Sequence, residues 1–357
     1  MDRIAWVIER CRLLRAIGDE LERTRPFAGL RIGTGIHLEP KTVALILTLQ
    51  RGGATLVSTG NLNTTQQEAC DYLSERGVEV VGGPTSDAAE HDAYLWELVR
   101  SRPDLLLDNG GDLFVRYLEE PWDALRGGTE ETTSGRMRLE PLRDRLGLPI
   151  LVINDSPIKQ FAENEHAVGQ SVLESFLRIT NLSTNGKQVT VFGYGACGQG
   201  VAANFRNAHA VVSVVERDPV KRLQALLDGF LVPAREEALR SADVVITVTG
   251  AEGVVTAADA PLLKPGAILA NAGHFPWEIE ADALSAAGAT VLTGGHMVNL
   301  AGPRPLGNSI ESMDLGFALQ VRCLEAVATG AVGVDSCVVP VPRAIDEQVA
   351  AQFVALA

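Results

Sequence analysis

No stretch of the sequence approaches the roughly 18–20 consecutive apolar residues of a membrane-spanning helix. The first 25 residues, MDRIAWVIERCRLLRAIGDELERTR, are charged throughout and lack the apolar centre of a secretory leader. Cysteine is scarce: Cys11, Cys70, Cys197, Cys323 and Cys337 form an odd, scattered set without a CxxC pair. Such usage argues against a disulfide framework and makes the cytoplasm the expected compartment. Histidines number only six and are dispersed, so no metal shell is expected. Positive charge is in deficit, with 31 Lys and Arg against 45 Asp and Glu, a net charge of −14. A chain this acidic lacks the positive face that nucleic acid or anionic lipid requires, so neither is an expected partner. What remains is a globular composition, 46% hydrophobic and 21% charged over 357 residues, long enough for more than one domain.

Residues 1–25 read as one amphipathic helix, with Ile4, Val7, Ile8, Cys11, Leu14, Ile17 and Leu21 at spacings of three and four. Beyond it, short apolar runs alternate with helical stretches. Strands are predicted at 30–36, 54–60, 78–83, 104–110 and 148–154, and the helix-like segments between the first of these end in glycine, a helix stop. A second alternating unit begins near residue 187, with strands predicted in QVTVFGYG, VVSVVERD, 242–250, 267–273 and 289–295. A helix around 164–182 joins the two. SMDLGFALQVRCLEAVATG reads as another helix, returning the chain to the first unit. Strand–helix–strand alternation with short connections means parallel sheets, hence two α/β domains. The boundaries expected are 1–163 plus 308–345 for the first, 164–307 for the second, and 346–357 as a C-terminal tail.

The most informative local motif is Gly193-Tyr194-Gly195-Ala196-Cys197-Gly198-Gln199-Gly200, a GxGxxG between a strand and a helix. Gly193, Gly195 and Gly198 permit a tight turn and close approach of a pyrophosphate, and the helix N-terminus offers N–H donors to it. Glu216 ends the next strand, where a carboxylate accepts from a ribose 2′-OH and repels a 2′-phosphate. The second domain is therefore expected to be a Rossmann dinucleotide-binding domain with NAD as cofactor, and the first the substrate-binding domain, although Arg217 beside Glu216 leaves NADP open.

Further segments accompany that motif in order: His37 within IHLEPKTVALILTL, STGNLNTTQQ (58–67), DNGGDL (108–113), GTEETTSG (128–135), INDSPIK (153–159) followed by Glu163-Asn164, ERDP (216–219), TVTG (247–250), NAGHF (271–275), MVNL (297–300) and SMDLGFALQ (312–320). By these the chain resembles the S-adenosylhomocysteine hydrolase (adenosylhomocysteinase) superfamily, as a divergent member. The resemblance implies a redox-neutral cycle on a nucleoside. NAD oxidises the 3′-OH, the ketone acidifies the C4′ proton, proton loss expels the 5′ group, water adds, and the ketone is reduced again. It also implies roles. Lys159 assists proton removal at the 3′-OH, with Glu163 as its acidic companion, and Glu131 grips the ribose hydroxyls. His37 handles the 5′ leaving group, and His274 lies near the ribose. Thr132, Thr133, Asn164, Thr249, Asn271 and Asn299 fall on the cofactor side. Asn154 and Met313 fall on the substrate side. A lone lysine or histidine is more often structural or solvated, so these roles rest on the resemblance. A homo-oligomer, dimer or tetramer, is implied as well.

Departures from the family pattern bear on the reaction. Asn109 stands where the family has an aspartate working with the position of His37, and an amide cannot exchange a proton near neutral pH. Glu163 is one methylene longer than the family's aspartate. Glu39 and Lys41 occupy positions that read the base, and Asn308 stands for a nucleoside-contacting histidine. Gln199 and Lys221 alter the cofactor loop, and the Lys-Tyr tail of many members is absent. The reading preferred on these changes is a nucleoside 4′,5′-dehydratase or lyase of specialised metabolism. Hydrolysis of S-adenosylhomocysteine or S-inosylhomocysteine is the alternative, and an inactive NAD-binding relative is a third.

Overall fold

The computed structural model describes residues 2–356. Two compact units are present: one comprises the residues up to Gln160 together with those from Ile310 onward, the other Phe161–Ser309. Six strands belong to the first stretch: β1 (Arg31–Gly35), β2 (Thr55–Thr59), β3 (Glu79–Val81), β4 (Leu105–Asp108), β5 (Gly127–Glu130) and β6 (Ile150–Val152). Five lie in the other unit: β7 (Gln188–Phe192), β8 (Val211–Val215), β9 (Val244–Thr247), β10 (Ile268–Asn271) and β11 (Thr290–Val291). The last, β12 (Val339–Pro340), returns to the first.

The first sheet runs β12-β6-β5-β4-β1-β2-β3, all parallel. Its strand order reverses between β1 and β4. The second runs β11-β10-β9-β7-β8, also parallel, and reverses between β7 and β9. Both units are thus doubly wound α/β layers, and each has a crevice outside the carboxyl ends of its strands at the reversal. Strands buried on both faces read as near-continuous apolar runs. Leu105, Leu106 and Leu107 of β4 are wholly buried, each contributing roughly 1.5–3 kcal/mol by leaving water.

Several expectations are corrected. Residues 1–25 form two helices, Arg3–Arg10 and Arg12–Thr24, because Cys11 leaves helical geometry at φ −73° and ψ 73°. The second helix has no cap of its own. Instead the Asp314 carboxylate, from the helix Ile310–Ala328, accepts the N–H groups of Leu13 and Leu14 at 2.7 and 2.9 Å. A distant acceptor replaces the carbonyls of a continuous helix. β5 lies in a segment not read as a strand, since GGTE carries little β propensity. Its glycine is required by close approach: a Cβ on Gly128 would sit 1.8 Å from the Leu106 carbonyl oxygen. The strand predicted at 289–295 stops at Val291, where Thr293 and Gly294 turn left-handed at φ 52° and 59°. Residues 346–356 of the segment read as a C-terminal tail lie within a helix, Arg343–Leu356, and Ala357 lies outside the described residues. The helix expected around 164–182 begins earlier, as wide π-type turns over Lys159–Ala167 that continue into Val168–Thr180. No helix of the described residues is long and apolar enough to cross a membrane.

Burial pushes the Asp314 carboxyl from 3.8 up to about 6, against the pull of the Leu14 and Leu13 N–H donors. A raised folded-state pKa means the folded chain binds more protons than the unfolded one, so this group's stabilisation falls as pH rises from 3.8 to about 6. Asp314→Asn is expected to remove that part of the pH dependence. Asp314→Ala is expected to cost about 1–3 kcal/mol by orphaning two buried N–H groups. Urea unfolding of the three proteins across pH 4 to 7 is the check, and an Asn profile parallel to the parent's would refute the assignment.

Candidate functional site

In the first unit, the loops leaving β1, β2, β4 and β5 converge on the reversal point. His37 follows β1, and its Nδ1 lies 2.6 Å from the Thr64 hydroxyl, whose own proton has the Asn61 carbonyl as acceptor at 3.3 Å. The His37 ring and the Thr64 hydroxyl thus form a hydrogen-bonded pair whose donor and acceptor follow from the ring's tautomer. Asn109 follows β4, and Glu131 follows β5. The Asn109 amide donates to the Glu131 carboxylate at 2.8 Å, and Lys159 Nζ reaches the other carboxylate oxygen at 3.3 Å. Asn109, Glu131 and Lys159 are all buried. The structure therefore joins three of the residues expected to be catalytic into one hydrogen-bonded chain.

Two residues that sequence reasoning missed hold this chain in place. Asp108 and Glu130 are register partners at the ends of β4 and β5, and neither is accessible to solvent. Asp108 accepts from the N–H groups of Asn109, Leu113 and Phe114. Glu130 accepts from those of Gly110, Gly111 and Thr132, and from the Thr132 hydroxyl. Burial, then the charge of Asp112, pushes Asp108 up to about 7. Burial, then Asp108, pushes Glu130 well above the carboxylate range. For Asp108 the available signal was an acidic residue closing an otherwise apolar run, LLLD; GGTE offered none for Glu130.

Thr132 is thereby a structural link: it bonds Glu130, and its hydroxyl accepts from Gly135 N at 2.8 Å to cap the helix Thr133–Leu139. Thr133 is exposed. Glu39 and Lys41, expected at the base, are buried and paired with each other at 2.9 Å, and Glu39 also caps the helix Pro40–Arg51. Asn154 is buried after β6, and its Nδ2 is 3.4 Å from Asp155. Met313 is half-buried in the first turn of Ile310–Ala328.

The second unit builds its own crevice. Gly193 leaves β7 at φ 103°, where a Cβ would meet the Val248 carbonyl oxygen at 2.7 Å. A Cβ on Gly198 would lie 2.1 Å from the Gly193 oxygen, so that glycine closes the turn on the helix Ala196–Asn207. Gly195 differs. It has an ordinary φ of −73°, faces open space, and precedes a helix end with no side-chain cap. A glycine not needed by the fold, beside uncapped N–H groups, fits a pyrophosphate. Glu216 follows β8 and is half-buried. Burial raises its pKa, but the N–H groups of Asp218, Tyr194 and Arg217 win and hold the carboxyl below its ordinary value. An ionised carboxylate after the second strand of a dinucleotide-type unit is an acceptor suited to ribose hydroxyls, so these residues fit NAD.

Other expected residues of this unit are tied to protein partners. The Asn271 oxygen accepts from Thr247 and Gly273 N, and its amide donates to the carbonyls of Gly273, Phe275 and Gly295. Its role is to shape the loop that carries His274, which is half-buried beside Phe275. Thr249 gives both its N–H and its hydroxyl to Glu278, a buried carboxylate not singled out from the sequence. Burial raises the Glu278 pKa. Asn299 and Asn308 share Ser171: Asn299 donates to its hydroxyl at 3.0 Å, and that hydroxyl donates to Asn308 at 3.2 Å. Glu163 is buried and Asn164 half-buried in the π-type turns.

The glycines give a sharp test. Gly195→Val is expected to fold normally yet weaken NAD binding at least tenfold, because only the ligand needs that space. Gly198→Val is expected to lower the melting temperature as well. Calorimetric titration with NAD beside thermal melts checks both. Unchanged NAD affinity in Gly195→Val would overturn the placement.

Comparisons with known proteins identify the family. The family described as S-adenosyl-L-homocysteine hydrolase matches residues 8–121, and its NAD binding domain matches residues 164–300. The adenosylhomocysteinase of Thermotoga maritima is 38% identical over 98% of this chain and 92% of its own length. The S-inosyl-L-homocysteine hydrolase of Methanopyrus kandleri is 36% identical over 98% of this chain and 88% of its own. Among solved structures, the dipicolinate synthase of Bacillus halodurans superposes at a TM-score of 0.56 with 14% identity, covering 85% of this chain and 99% of its own, a likeness of fold alone. NAD is the cofactor, and this chain belongs to the S-adenosyl-L-homocysteine hydrolase family.

Proposed function

We propose that the chain is an NAD-dependent hydrolase that cleaves the 5′-thioether of an S-nucleosyl-homocysteine, adenosyl or inosyl, by a redox-neutral cycle. The observation that carries this reading is the buried chain from Asn109 through Glu131 to Lys159 at the carboxyl edge of the first sheet. Relatives named for the adenosyl and inosyl reactions, at 38% and 36% identity, favour hydrolysis over other end-points. When bound, NAD supplies reversible hydride chemistry at the nucleoside 3′-carbon. Glu131 accepts hydrogen bonds from the ribose hydroxyls while keeping Lys159 in place. The Lys159 amine takes the C4′ proton made acidic by the adjacent carbonyl, exchanges it with solvent, and delivers a solvent-derived proton to C4′ when water adds. His37, through Nε2, transfers the proton needed at the 5′ leaving group. The same reading makes the working form a cytoplasmic homo-oligomer, a dimer or tetramer.

Asn109 favours a second reading. Its amide holds Glu131 but cannot carry a proton at C5′, so on a nucleoside with a 5′-hydroxyl, loss of that hydroxyl as water with none added back would make the enzyme a nucleoside 4′,5′-dehydratase, a lyase. Mass spectrometry of products formed in D₂O separates the two. Hydrolysis releases homocysteine and leaves deuterium at C4′. A product lighter by one water, with no thiol released, would replace the first reading by the second. Absence of both turnover and exchange would sink both in favour of an inactive relative. Lys159→Ala and Glu131→Gln are each expected to reduce turnover by about 10²–10⁴ while sparing NAD affinity. Calorimetry alongside steady-state kinetics checks this split.

A further inference from the structure

Asn61 is assigned no role above, yet it connects the parts of the first unit's site. Its side-chain amide donates to the Asn109 oxygen at 3.1 Å. Its carbonyl accepts from the Thr65 and Thr64 hydroxyls at 2.9 and 3.3 Å, and Thr64 faces His37. The loop that carries it is held closely: a Cβ on the preceding Gly60 would lie 1.9 Å from the Thr65 hydroxyl. Asn61 follows β2, Asn109 follows β4, and β1 with His37 lies between them. The amide contact therefore spans the reversal point.

We propose that Asn61 is a positioning residue that locks the Asn109 carboxamide with its NH₂ toward Glu131, and so holds Glu131 for Lys159. The two ends of a carboxamide have nearly the same shape, so partners decide which way it points. Asn109 lies between Glu131, which accepts when ionised, and the Asn61 NH₂, which only donates. One orientation satisfies both contacts, at 2.8 and 3.1 Å. With the Asn61 NH₂ turned toward Asn109 as it is, the reverse would set oxygen against carboxylate and NH₂ against NH₂. With Asn109 buried, such a mismatch has little water to relieve it.

The kinetic consequence rests on the proposed function, but the orientation itself does not. Asn61→Ala removes a donor at a half-buried position that water can reach, and is expected to lower kcat about tenfold. Asn61→Asp keeps the shape and reverses the polarity, so Asn109 must either flip or face an acceptor. It is expected to lower kcat about a hundredfold, with the nucleoside KM changed less than kcat and NAD affinity unchanged. A packing role predicts the opposite order, the isosteric Asp better tolerated than Ala. The activity-independent readout is hydrogen–deuterium exchange of the Asn109 side-chain amide, followed by ¹⁵N NMR on the full chain. Protection in the parent, lost at least tenfold in Asn61→Asp, is the result expected. Equal exchange in the two proteins, or an Asp variant as active as Ala, overturns the proposal. If the parent turns over no nucleoside thioether, the proposed function fails, and the exchange measurement still decides the orientation.

Discussion

Asp108 and Glu130 end adjacent strands with their carboxyls withdrawn from water, and the first unit's site is arranged around them. Two acids so placed are costly unless protons or hydrogen bonds compensate. Here they accept the N–H groups of the turn from Asn109 to Gly111, of the helix start at Leu113 and Phe114, and of Thr132. Those N–H groups would otherwise be orphans at a sheet edge and a helix end. The cost of burying the pair is thus offset by the order it imposes on the next residue of each strand. Those next residues are Asn109 and Glu131, the ones that touch each other and reach Lys159.

A division of labour follows in both units. Residues pointing back into the fold, Asp108, Glu130 and Asn271 at strand ends and Glu278 in the short helix Pro276–Glu278, spend their polar atoms on loop backbone or on neighbouring side chains. Asn109, Glu131 and His274, one to three positions past those strand ends, lie in the loops at the crevices. Asn271 and Glu278 do for the second unit what the acid pair does for the first: one organises the loop of His274, the other ties the Thr249 loop to it. Many polar residues along a family signature are therefore scaffolding for a few that meet the ligand.

The glycines of the dinucleotide turn show the same distinction on the backbone. Gly193 and Gly198 are required by close approach of the chain to itself, and Gly195 is not. Gly195 faces open space, which makes it the member of the motif whose substitution tests ligand binding apart from folding.

The sequence by itself determined the two parallel α/β units, the dinucleotide turn and the family, because apolar runs, helix stops and GxGxxG are local patterns. It also named His37, Asn109, Glu131 and Lys159, since these lie in ordered signature segments. It did not reveal β5, whose glycines look unlike a strand until the Leu106 carbonyl beside Gly128 is seen. Nor did it reveal the break at Cys11, imposed by Asp314 some 300 residues away. Pairings such as Glu39 with Lys41, Asn61 with Asn109 and Thr249 with Glu278 were decided only in three dimensions. A side chain's type states what it can donate or accept, but its partner is whichever complementary group the fold brings within about 3 Å.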